Sequence, residues 1–205
     1  MDTINFENVK RYILQRLERE LSPLFVYHNI FHTINEVLTN SELLAGILGV
    51  TGEELLLLQT AALYHDLGFV VQAEGHESIG ANFARLTLPE FGYNRGQIEV
   101  IQGIIMATRL PQTPHNLLEE IIADADLSVL GQKEFWQRNE DLRVELVFNG
   151  KPAPDDEEWY YKQLKFLQEH TYFTEAAHRL REPQKQENIT RLIQLLECRE
   201  TVNFL

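Results

Sequence analysis

EELLLLQTAALYHD, residues 53–66, is apolar over most of its length and closes on an adjacent histidine and aspartate. Thr51-Gly52-Glu53-Glu54 before it has the form of a capping box, and Gly68 marks its end, so the stretch reads as a strongly apolar helix. A helix with so little polar surface needs partners on several sides. The rest of the chain repeats the 3.6-residue period, and strand-like alternation is nearly absent. Helices are expected over about 4–20, where Ile13, Leu14, Leu17 and Leu21 recur before Ser22-Pro23, and over about 28–47. Others follow over about 76–88, 95–108, 116–130, 133–148, 156–170, 173–181 and 185–200. The expected fold class is all-α, with residues 1–205 as a single globular multi-helix domain and KPAPDDEE, 151–158, as a loop within it.

Composition narrows the function classes. The 44% apolar and 24% charged content is that of an ordinary globular protein. No segment approaches the roughly 18 consecutive apolar residues of a membrane span. MDTINFENVKRY, with early acids and no apolar core before a small-residue cleavage site, is not a secretory signal, so a cytoplasmic protein is expected. The formal charge of -13 argues against nonspecific binding to nucleic acid or anionic lipid, while a small phosphorylated substrate stays admissible because it responds to the local field. The single Cys198, in IQLLECRE, has no disulfide partner and is expected to be buried or half-buried. Val202, Phe204 and Leu205 are apolar enough to dock on the chain's own core or on a second copy, which leaves a homo-oligomer open.

Three segments concentrate metal-ligating residue types. YHNIFH, 27–32, places His28 and His32 four apart, on one face of any helix that carries both. In LYHDLGF, 63–69, Asp66 ends the most apolar helix, where an unpaired charge costs several kcal/mol unless paired or metal-bound. The plain alternative is a turn-capping Asp66 beside a hydrogen-bonded core His65. In IIADADLSVLG, 121–131, Asp124 and Asp126 point about 200° apart on a helix, so at most one reaches a common centre and the other sits behind it or in solvent.

The ordered set YHNxxH, HDLG and DADLSxLG, with helices between, resembles the HD-domain superfamily of metal-dependent phosphohydrolases, over roughly residues 24–131. YHNIFH and ADLS are also similar to segments of the cyclic-nucleotide phosphodiesterases. DLRVEL, in the extension over about 132–205, looks like a bacterial branch of predicted HD phosphohydrolases. The resemblance implies His32, His65, Asp66 and Asp126 as metal ligands and His28 as general acid, with Asp66 also orienting the attacking water. It implies one or two divalent ions (Mn, Fe, Ni or Zn, with Mg admissible) and cleavage of a phosphomonoester or phosphodiester, of a nucleotide or related compound, by metal-bound water.

Around this set, His76 and Glu77 in VVQAEGHESIGANF, and Asp124, are candidates for a second ion or for supporting the first; His115 is a weaker one. Glu77 is equally a first-turn acid favoured by the helix dipole. Arg109 in IIMATRLP can take a phosphate bidentately or satisfy the last carbonyls of its helix. Lys133, Arg85 and Arg95 read as solvated, and Trp136 and Trp159 as packing. Two readings compete with hydrolysis: a di-iron oxygenase of the same superfamily, which needs more ligands, and a noncatalytic metal-binding signalling module.

Overall fold

The computed structural model describes residues 4–203, with side chains to residue 198. The proposed docking of Val202, Phe204 and Leu205 therefore lies outside the described side chains. Every regular element among the described residues is helical, as expected for an all-α chain. The described chain divides into two compact units, one ending at Leu127 and the other starting at Ser128. No described helix is long and apolar enough to cross a membrane.

In the first unit α1 (Phe6–Glu20) buries Val9, Ile13 and Leu17, starting where the Asn5 side chain accepts from the Asn8 N–H. A helix from residue 30 to 48 follows, built as a π-helix over His32–Leu38 that continues as α2 (Thr39–Leu48). α3 (Gly52–Tyr64) packs against α1, α2, the π-helix, α4 (His76–Thr87), α5 (Arg95–Met106) and α6 (Leu117–Asp126). This explains its composition: Leu57, Leu58, Ala61, Ala62, Leu63 and Tyr64 are all buried, and each fully buried leucine contributes about 1.5–3 kcal/mol. The polar groups on α3 are satisfied internally. Thr60 Oγ1 lies 2.7 Å from the Tyr93 hydroxyl, and the Tyr64 hydroxyl 2.7 Å from Thr87 Oγ1.

Two sequence expectations fail on α3. Thr51 occupies the N-cap, but its side chain makes no capping bond. The helix ends at Tyr64, earlier than Gly68, so His65 and Asp66 lie in the turn beyond it, followed by a 3₁₀ turn over Leu67–Val70. Glycines explain how closely α4 returns to that turn. A Cβ on Gly68 would lie 2.0 Å from the His76 carbonyl oxygen, and one on Gly80 would lie 2.6 Å from that of Tyr64. Only hydrogen atoms at those positions allow the start of α4 to sit against the end of α3.

The second unit holds a 3₁₀ turn over Ser128–Gly131, α7 (Phe135–Phe148), α8 (Asp156–Glu169) and α9 (Glu175–Asn203). The helix expected over 116–130 is thus two elements, α6 and the 3₁₀ turn. The two helices expected over 173–181 and 185–200 are one, continuous through Pro183. A proline inside a helix removes one backbone bond, and here tertiary anchoring keeps the helix whole. Asn188 donates to the Leu130 and Gln132 carbonyls (3.0 and 3.1 Å), and Lys185 to that of His170 (2.7 Å). Trp159 is buried, and the Arg191 guanidinium covers Trp136 at 4.2 Å, so both tryptophans pack. Cys198 is exposed, against expectation: the apolar run around it does not place position 198 on the buried side of α9.

Candidate metal centre

His32 enters the site from a helix whose start is fixed by Asn29. The Asn29 side chain accepts from the backbone N–H groups of Phe31 (2.9 Å) and His32 (3.2 Å), while its amide donates to the Val26 carbonyl. The helix therefore begins after His28, later than the expected start at about 28, and the one-face relation of His28 and His32 does not apply. His28 lies in the bend before the helix, its ring stacked on Phe69 (4.4 Å, 18°) and 5.8 Å from that of His32.

Three imidazoles share one arrangement. His65 Nδ1 donates to the Ala62 carbonyl (2.8 Å), and His76 Nδ1 to the Ala73 carbonyl (2.9 Å). His32 Nδ1 lies 2.7 Å from the Glu36 carboxylate. With each Nδ1 held, each Nε2 turns toward the carboxylates of Asp66 or Asp126. His32 Nε2 is 3.2 Å from Asp126 Oδ1 and 3.6 Å from Asp66 Oδ2; His65 Nε2 is 3.2 Å from Asp66 Oδ2 and 3.6 Å from Asp126 Oδ1. The other oxygen of Asp66, Oδ1, lies 3.3 Å from His76 Nε2.

These residues fit a metal ion. His32, His65 and Asp66 offer ligand atoms within 4.8 Å of one another, on side chains that are almost wholly buried. His65 Nε2 and Asp66 Oδ2 have no hydrogen-bond partner although they lie 3.2 Å apart. They converge without bonding each other, as atoms do when they share a third partner. Ligand atoms about 2.1 Å from one ion lie about 3.0–3.4 Å apart, close to the spacings found here.

The cluster sets its own protonation. Burial works to lower the basicity of His32, but Asp126, Glu36 and Asp66 outweigh it and lift its pKa to about 10. His76 is lifted to about 9, against burial, by Asp66, and His65 is raised against burial by the same carboxylate. Burial alone would raise the Asp66 pKa, yet His65 and His76 hold it well below the usual carboxylate range. In the metal-free protein His76 and His32 therefore add stability that is complete below the unfolded value of 6.5 and lost as pH rises through about 9 and about 10. Asp66 takes part in the same ion pairs, counted once; its share is present above 3.8 and lost as pH falls through its lower folded value. Urea midpoints of the metal-free protein should fall between about pH 7 and about pH 10. A midpoint that rises over that interval would contradict these protonation states.

The remaining candidates scatter. Asp124 is fully buried, so it is not a solvated acid, while Asp126 is the one of the pair that meets His32 and His65. Glu77 is buried with Oε1 3.8 Å from His76 Nε2. His115 is exposed, its backbone N–H bonded to Glu119. Arg109 is exposed beyond α5, with no side-chain ion pair among the described residues. Arg85 bonds Asn82 and Arg95 pairs with Glu99 on open faces, and Lys133 is exposed.

Two residues at the site were missed in the sequence. Glu36 was readable only as a carboxylate four positions after a candidate ligand, in HTINE. Phe69, stacked between His28 and His76, gave no signal beyond its place after the HDLG turn.

Comparison with known proteins gives one family, described as HD domain, whose model matches residues 30–128. No curated protein and no solved structure matches the chain.

Proposed function

We propose that this chain, which belongs to the HD-domain superfamily of metal-dependent phosphohydrolases, cleaves a phosphomonoester or phosphodiester bond of a small phosphorylated compound. The observation that carries the reading is the convergence of His32 Nε2, His65 Nε2 and Asp66 Oδ2, the last two buried without a hydrogen-bond partner, with Asp126 Oδ1 3.2 and 3.6 Å from the two imidazoles. A nucleotide is the substrate class we favour, on the likeness of YHNIFH and ADLS to cyclic-nucleotide phosphodiesterase segments. Cytoplasmic location belongs to the same proposal.

His32, His65, Asp66 and Asp126 would hold the ion, and the mixed imidazole and carboxylate set suits Mn, Fe, Ni or Zn. When bound, a divalent ion supplies a Lewis acid to a phosphoryl oxygen and lowers the pKa of water in the site. The chain's own residues do the rest. Asp66 orients the attacking water, and burial of the cluster excludes bulk solvent. Phe69 stacks on His28 and holds the plane of its ring, which is our candidate to donate a proton to the departing oxygen. Arg109 is our candidate contact for the substrate phosphate. Asp66 turns its second oxygen to His76, with Glu77 behind, so these are the residues that would hold a second ion if the site takes two.

A panel of phosphomonoesters and phosphodiesters, run with protein loaded separately with each of these metals, tests the reading. We expect turnover of at least one nucleotide ester. No turnover with any metal-loaded form would favour the noncatalytic alternative, and oxygen consumption with two irons per chain would favour the oxygenase. His28→Gln should lower turnover about 100-fold while metal content stays unchanged. Full activity in that variant would remove His28 from the mechanism.

A further inference from the structure

The helix that carries His32 is widened into a π-helix over His32–Leu38, an arrangement frequent at functional sites. Side chains support the altered backbone: Thr39 Oγ1 donates to the Ile34 carbonyl (3.0 Å) and Asn40 Nδ2 to the Glu36 carbonyl (2.9 Å). Within this turn the Glu36 carboxylate, 8% exposed, meets His32 Nδ1 at 2.7 Å, while the far side of the same ring faces Asp126 and Asp66. His65 and His76 anchor their Nδ1 atoms on backbone carbonyls, so His32 is the one of the three held by a side chain.

We infer that Glu36 is a positioning residue for the metal centre: it accepts the Nδ1 proton of His32, fixing the tautomer and ring orientation that present Nε2 to the ion. This rests on the metal-dependent reading above. A carboxylate behind a ligating imidazole orients the ring and raises its basicity as a donor, and losing such a partner costs about 10–100-fold in metal affinity. The pair sits four residues apart, a spacing at which helical side chains meet, on a π-helix whose carbonyls Thr39 and Asn40 bond. HTINEVLTN, residues 32–40, therefore encodes a ligand, its support and the backbone that joins them.

The test is zinc affinity, by chelator competition, of the wild type, Glu36→Gln and Glu36→Leu, with circular dichroism of each. It is joined by ¹⁵N NMR of the His32 ring in the zinc-loaded proteins. We expect roughly 10-fold weaker zinc binding for Glu36→Gln, which keeps an acceptor but loses the charge, and up to about 100-fold for Glu36→Leu. The Nδ1 proton of His32 should be slow to exchange in the wild type and faster in both variants, a change that a purely structural role for Glu36 would not produce. Glu36→Gln is isosteric and keeps the test decisive even if the leucine variant fails to fold. Unchanged zinc affinity and an unchanged Nδ1 signal in a folded Glu36→Gln protein would overturn the inference alone. A wild type that takes up no zinc would overturn the metal reading, and this inference with it.

Discussion

Asp66→Ala should abolish both metal retention and turnover, a loss beyond about 10³-fold, and leave the helical circular dichroism spectrum in place. The size follows from position. Asp66 is the carboxylate that approaches all three imidazoles of the site, His32 and His65 through Oδ2 and His76 through Oδ1. Asp126 reaches only the first two. Losing a partner that merely supports a ligand costs about 10–100-fold, and losing a ligand shared by the whole cluster must exceed that. The helices do not depend on the charge: the ion-pair stability of Asp66 is lost with it, and the histidines lose their protons once it is gone, so no unpaired charge stays buried. The measurement is metal content and phosphoester turnover of the purified variant. Turnover retained within 10-fold of wild type would remove Asp66 from the chemistry.

Gly68→Ala should destabilise the protein by about 3 kcal/mol, at the upper end of the cost of overpacking. The new Cβ would sit 2.0 Å from the His76 carbonyl oxygen, and a backbone atom cannot swing aside as the tip of a side chain can. The start of α4 must then shift, carrying His76 away from Asp66. For a chain of this size that corresponds to a fall in Tm of about 6–12 °C, measurable by calorimetry. Gly80→Ala, whose Cβ would lie 2.6 Å from the Tyr64 carbonyl oxygen, should be milder but of the same sign. A Gly68→Ala protein with an unchanged Tm would contradict the close approach of α4 to the turn.

Much of the site was legible because its residues break the pattern around them. An aspartate at the end of a largely apolar helix is conspicuous, and the fold answers by turning His65 and Asp66 out of α3 into a shared cluster. The angular step of a helix limited Asp124 and Asp126 to one place at the centre, but only packing could choose Asp126. Less legible were features that depend on local competition. A four-residue spacing placed His28 and His32 on one helix face; the Asn29 cap starts the helix between them, and the two rings meet edge to face across that start. Glu36 in a helix looks like any solvated acid until packing buries it against His32 four residues before. Pro183 read as a break between two helices, but the side-chain anchors that follow it, Lys185 and Asn188, outweigh one missing backbone bond. The need for glycine at positions 68 and 80 arises between segments distant in sequence, where periodicity carries no information.

That four side chains hold one ion is tested most directly by anomalous X-ray scattering from crystals of the zinc-loaded protein, recorded on both sides of the zinc absorption edge. We expect an anomalous peak about 2.0–2.2 Å from His32 Nε2, His65 Nε2, Asp66 and Asp126. A second peak on the His76 side of Asp66 would make the centre binuclear and keep the assignment. Zinc found only on exposed carboxylates, with these four residues left unliganded, would contradict it.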